Sequence, residues 1–210
     1  MSHLVSLFQL VQLTRAQVQY GYLLSGVPKE KLSDLAQHHY LVTFIAWQLT
    51  LACNQAGAKL DILKVLEISL IHDLGELFGG DINWFYARIN PDARKLAKSF
   101  EAENNKLLAQ AFGAQKDYFF TLQLAAHANN CDEAKIAKLA DYMECLQYKS
   151  FIDSIDTEYD QKDAMKALHS MTRKIQDKCA KLYLIDLLKD WCENIQKPKK
   201  FLAILAEEFS

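Results

Sequence analysis

Apolar residues recur every three or four positions along most of this chain, and the strict apolar–polar alternation of a half-buried strand is nearly absent. The pattern predicts helices near residues 4–19, 33–56, 60–78, 92–112, 115–129, 132–152, 161–191 and 199–208. Ser33-Asp34, Asn90-Pro91-Asp92 and Cys131-Asp132-Glu133 read as helix starts. Seven glycines and three prolines leave few breaks. The longest break runs from Gly79 to Asn90 and reads as a loop. The expectation is an all-α protein in one domain over 1–210, with a core over about 4–152 and additional C-terminal helices over about 160–208. Those last, lysine-rich helices are expected to act as a cap or an interface.

The apolar run Ile62–Ile71 ends in His72-Asp73-Leu74-Gly75-Glu76, followed by Gly79-Gly80-Asp81-Ile82. Ionisable groups withdrawn from water cost several kcal/mol unless they are paired or hold a metal. If the helix continues, Glu76 lies four residues after His72 and three after Asp73 and shares a face with both. Two metal-type ligands and a carboxylate suited to proton transfer would then surround one spot.

A hard divalent cation there needs further ligands from elsewhere in the chain. His38 follows Leu35 and precedes Leu41, Val42 and Ile45 on an apolar face. His39 shares a row with Leu35, Val42 and Ala46, so periodicity alone does not separate the two histidines. Asp141 is the odd acid on a face with Ala134, Ala137, Cys145 and Tyr148. Each of these has an ordinary alternative in a hydrogen-bonded core histidine or a capping acid. Together, a histidine, a His-Asp pair and an aspartate on successive long helices are hard to obtain from packing alone.

Composition narrows the field. With 50% hydrophobic and 24% charged residues the chain reads as soluble and globular, and a formal charge of −2 argues against binding nucleic acid polymers. No apolar run approaches bilayer-spanning length, and the start has neither a basic n-region nor a cleavage signal, so no membrane association is expected. Five scattered cysteines without a CxxC pair fit reduced thiols in a cytoplasmic protein and argue against a zinc–cysteine cluster.

The order His38, His72-Asp73, Asp141 resembles the H…HD…D pattern of the HD-domain metal-dependent phosphohydrolases. The run His72–Glu76, the turn Gly80-Asp81-Ile82, Gly21–Val27, and Asp132-Glu133-Ala134-Lys135 through Lys138-Leu139-Ala140-Asp141 resemble the 5′-deoxynucleotidase-like branch, a likeness covering about residues 4 to 150. The chain departs from that branch at Gln37-His38-His39, where Glu-His-Ser is usual. It departs again at Gln19 and Ser25, where arginines that meet the substrate phosphate are usual; Arg15 is the nearest arginine to replace them.

The resemblance implies an HD-domain helical bundle and a hydrolase of nucleoside or deoxynucleoside 5′-monophosphates. It selects His38 over His39 and implies His38, His72, Asp73 and Asp141 as ligands of one divalent ion, with Mn, Co, Fe, Ni, Zn and Mg all open. Glu76 and Asp81 are the expected catalytic carboxylates, Glu76 orienting water or donating the leaving-group proton and Asp81 meeting the sugar or leaving oxygen. Arg15, Gln19, Trp84 and His127 are the expected substrate contacts, with Trp84 in an aromatic cluster that either stacks on a base or pins its loop. Lys95, Lys98 and Lys106 read as a solvated helix face, and helix 181–192, apolar enough to bury more than one face, is consistent with the homodimer that the resemblance implies. Two other functions stay open: a catalytically silent metal- and nucleotide-binding protein, and an HD hydrolase acting on a nucleoside polyphosphate or cyclic nucleotide.

Overall fold

The computed structural model describes residues 2–156, 160, 162, 165–195 and 201–208. Among these the α-helices are α1 (Ser2–Leu10), α2 (Leu35–Gln55), α3 (Ile62–Ile71), α4 (Trp84–Ile89), α5 (Pro91–Ala111), α6 (Lys116–Ala128), α7 (Asp132–Phe151), α8 (Met165–Arg173), α9 (Lys178–Ile195) and α10 (Phe201–Glu208). No β-strand occurs among the described residues, only an isolated bridge between Val18 and Asp34. The all-α expectation is met.

Helix starts follow side-chain capping. Asp34 accepts from the Gln37 N–H at 2.8 Å, Asp61 from Lys64 at 3.1 Å, and Asn90, ahead of Pro91, from Ala93 at 3.1 Å. The principal core forms where α2, α3, α7, α8 and α9 meet, around Val42, Ala46, Val65, Ile136, Leu139, Leu168, Leu184 and Leu188. Each is fully buried, and burial of the Val, Leu and Ile side chains among them contributes roughly 1.5–3 kcal/mol apiece. The helices expected as an extension therefore supply core residues through α8 and α9. A second cluster joins Ile71, Leu74 and Leu77 to Leu108 and Phe119, with the Phe112 and Phe119 rings stacked at 4.0 Å.

The structure differs from the periodicity in four places. The expected helix 4–19 stops at Leu10 and continues as a 3-10 turn, Val11–Arg15. Beyond it the backbone pairs with the approach to α2, Gln19 N–H donating to Ser33 O and Leu35 N–H to Gln17 O, which holds it out of a helix. The expected helix 60–78 ends at Ile71, and Leu74–Glu76 is a 3-10 turn. Its cause is close packing on α5: a Cβ at Gly75 would lie 2.6 Å from Glu101 Cγ, and Asn104 Nδ2 donates to the Gly75 carbonyl at 2.7 Å. The break from Gly79 to Asn90 contains α4, started by Asn83, whose side chain accepts from the Phe85 and Tyr86 N–H groups. The expected helix 161–191 is divided into α8 and α9; its start at 161, and that of the last helix at 199, lie outside the described residues.

The division between α8 and α9 is held from α7. The Asp132 carboxylate accepts from Gln176 N–H at 2.9 and 3.0 Å, from Asp177 N–H at 2.7 Å, and from Lys135 Nζ at 2.9 Å. Burial opposes the charged carboxylate, but Lys135 and these backbone donors outweigh it and hold the carboxyl below its usual value. Asp132→Ala is expected to cost about 1–3 kcal/mol and lower the melting temperature by several degrees at pH 7. Because the folded value is depressed, this contribution is present above the unfolded value of about 3.9 and fades as pH falls through the folded one. Melting curves of parent and variant should thus converge in acid; a gap independent of pH would refute the assignment.

Candidate metal and phosphohydrolase centre

The end of α3 meets the first turn of α2 and the middle of α7 beneath two cavities. His38 Nε2 lies 3.3 Å from Asp141 Oδ1 and 3.6 Å from Asp73 Oδ2; His72 Nε2 lies 3.2 Å from Asp73 Oδ2 and 3.9 Å from Asp141 Oδ1. One donor atom from each of these four residues falls within 4.8 Å of the others. Both Nε2 atoms, like that of His39, are buried and lack a hydrogen-bond partner among the described residues.

The outer nitrogens fix that arrangement. His38 Nδ1 donates to Glu144 Oε2 at 2.6 Å, and His72 Nδ1 donates to the Ser69 carbonyl at 2.8 Å. A neutral ring that donates from Nδ1 keeps its lone pair on Nε2, so both Nε2 atoms would turn lone pairs to the centre where a cation takes the place of a proton on His38. Burial pushes the His38 ring down, but Asp141, Asp73 and Glu144 around it outweigh burial and raise it well above the usual histidine value. Burial likewise opposes ionisation of Asp73, which the His72 and His38 rings hold well below the carboxylate range. The centre is a pocket of anionic oxygens and lone pairs where positive charge is favoured, which fits a divalent cation. His39 is the third ring there, 5.0 Å from His72 between ring centroids; burial and the two neighbouring histidines hold it well below its usual value.

The remaining carboxylates flank this cluster. Asp141 divides its oxygens, Oδ1 toward the histidines and Oδ2 accepting from Lys138 Nζ at 2.6 Å. Glu76 comes from the 3-10 turn, not from a continued helix, and borders both cavities beside Asp73. Its burial, with Asp73 and Asp81 nearby, raises its carboxyl well above the usual range. Asp81 accepts from the Gly21 N–H at 2.6 Å, and Asn83 Nδ2 donates to the Gly21 carbonyl at 2.8 Å. A Cβ at Gly21 would come within 2.9 Å of Asp81 Oδ1, so a larger residue there would have to push the Asp81 carboxylate aside.

The other expected contacts separate. Gln19 borders the smaller cavity, Trp84 both, and His127 the larger. Arg15, in contrast, is exposed at the end of its 3-10 turn and borders neither cavity, because the chain leaves the helical path before reaching them. Sequence reasoning missed Glu144 and Glu101. Glu144 lies three residues after Asp141 on the same helix face, a spacing that was available as a signal. Glu101 lies 3.4 Å from His127 Nε2, and burial together with Asp73 raises its carboxyl to about 7.

Comparison with known proteins decides the lineage. Residues 25–191 match the family described as 5′-deoxynucleotidase YfbR-like. The chain belongs to this family. Curated relatives of this YfbR-like chain include the 5′-deoxynucleotidase VP0926 of Vibrio parahaemolyticus, 27% identical over 135 residues, covering 62% of this chain and 68% of that protein. The 5′-deoxynucleotidase of Vibrio cholerae is 26% identical over 135 residues, with the same coverage of each. The PH0347 protein of Pyrococcus horikoshii has the same fold at a TM-score of 0.67 and 19% identity, covering 90% of this chain and 98% of that one. A conserved hypothetical protein of Pyrococcus furiosus superposes with a TM-score of 0.65 at 20% identity, over 90% and 99% of the two chains. As a YfbR-like protein of the HD superfamily, the chain is an enzyme of the phosphoric monoester hydrolase class.

Proposed function

We propose that this protein hydrolyses nucleoside and deoxynucleoside 5′-monophosphates to nucleoside and phosphate, with one divalent ion held by His38, His72, Asp73 and Asp141. The observation that carries the reading is the pair of buried, unpartnered Nε2 atoms facing two carboxylates. The names of the Vibrio relatives and the family match support the substrate class. When bound, the ion supplies positive charge at the phosphoryl oxygens and acidifies the attacking water.

The chain's own groups then have distinct tasks. Glu144 and Ser69 aim the two imidazoles through their Nδ1 atoms. Glu76, whose environment favours its protonated form, gives a proton to the departing 5′-oxygen. Asp81, fixed by the Gly21 N–H, meets the sugar beside that oxygen. Lys138 holds Asp141 in place and presents its ammonium to both cavities. The reading carries a single HD domain, a cytoplasmic location and a homodimer; no helix among the described residues is long and apolar enough to cross a membrane.

The test is a panel of nucleoside mono-, di- and triphosphates and cyclic nucleotides, run on chelator-treated and metal-replete protein. Chelation should abolish phosphate release from monophosphates, and one of Mn, Co, Fe, Ni, Zn or Mg should restore it. Metal-replete protein that binds nucleotides tightly without turnover would establish the silent alternative.

A further inference from the structure

The two cavities that share the centre differ in the charged residues that line them among the described residues. Both are bordered by Asp73, Glu76 and Lys138. Among the described residues the smaller adds Asp81, Asp141 and Asp160 and one cation, Lys149, which is ion-paired to Asp160; Gln19 and Ser25 on its wall are neutral. The larger, about 650 Å³, adds Arg88, Arg94, Lys98 and Lys166 and, among the described residues, one further acid, Glu101. That volume lies within the usual range for small-molecule sites.

Arg94 and Lys98 are one turn apart on α5 and so share a face. That face leads to Glu101, whose Cγ packs against Gly75 in the turn below Asp73. The Arg94 and Lys98 side chains are exposed, and neither forms a side-chain hydrogen bond or ion pair with a described residue. A phosphate dianion gains from guanidinium and ammonium donors and is repelled by carboxylates. The field therefore brings an anion to the centre from the α5 side.

We propose that the larger cavity is the phosphate-binding side of the site, and that Arg94 and Lys98 hold and orient the substrate's phosphate against the His–Asp centre. The proposal rests on the reading of a phosphate monoester as substrate, and it replaces the solvated-face expectation for Lys98. Lys95, on the same helix but outside this cavity, is exposed and serves as a control for charge alone.

The experiment uses the full chain loaded with metal, as parent, Lys95→Met and Arg94→Met/Lys98→Met. Inorganic phosphate binding is measured by calorimetry, and KM and kcat for a deoxynucleoside 5′-monophosphate are measured at low and high salt. The double variant is expected to bind phosphate about tenfold more weakly and to raise KM about tenfold with kcat within about threefold, the effect shrinking at high salt. Lys95→Met should match the parent. Phosphate affinity in the double variant equal to that of Lys95→Met, or no phosphate binding by the parent, would overturn the proposal. Phosphate binding that depends on Arg94 and Lys98 without nucleotide turnover would uphold it and overturn the hydrolase reading.

Discussion

Asp141→Ala is expected to purify folded, hold little divalent metal and release no phosphate from nucleotides. Asp141 contributes the carboxylate oxygen 3.3 Å from His38 Nε2, and its removal leaves Asp73 as the one carboxylate of the quartet facing the two Nε2 atoms. Loss of an outer hydrogen-bonding partner such as Glu144 typically lowers metal affinity by roughly 10–100-fold. Loss of a ligand should exceed that, so Asp141→Ala and Glu144→Gln are ordered by metal content as well as by rate. The competing explanation is that Asp141 exists to neutralise Lys138, its partner at 2.6 Å. In that case alanine would leave metal content unchanged and destabilise the fold through an unpaired lysine. Metal analysis of the purified variant beside its melting curve separates the two. Full occupancy with a lowered melting temperature would remove Asp141 from the ligand set.

How much of this was legible in the sequence depended on whether the signal was local. Helix periodicity and capping at Asp34 and Asn90 are local, and the helices they start were placed within two residues. That His38, His72, Asp73 and Asp141 come together is legible in part, because an acid or histidine on an apolar face carries a desolvation cost that demands a partner, while the choice of His38 over His39 comes from the family resemblance. The failures are tertiary. Nothing in Leu74-Gly75-Glu76 announces that α5 packs against the Gly75 backbone closely enough to end the helix. Because of that contact, Glu76 borders the cavities from a tight turn and not from the continued helix face that its spacing implies. Arg15 was judged near the site by sequence distance, yet the pairing of residues 17–19 with 33–35 carries it away. Lys98 is exposed, as its helix pattern implies, but that it borders the larger cavity while Lys95 does not follows only from the folded position of α5.

Glu76→Gln is expected to keep its metal and melting temperature while losing about 10²–10⁴-fold in kcat on nucleoside monophosphates. The substitution preserves size and hydrogen-bonding shape but removes the transferable proton. Glu76 borders the cavities beside Asp73, and burial together with the Asp73 and Asp81 charges favours its protonated form. A group in that state suits an acid that protonates an alkoxide as the P–O bond breaks. The departing 5′-oxygen of a nucleoside is a poor leaving group and needs that proton, whereas nitrophenolate leaves without one. The loss should therefore be large for nucleotides and small for p-nitrophenyl phosphate, with metal content equal to that of the parent. Equal losses on both substrates would mean that Glu76 orients the attacking water, which every substrate needs. Lost metal would instead make Glu76 part of the centre's support.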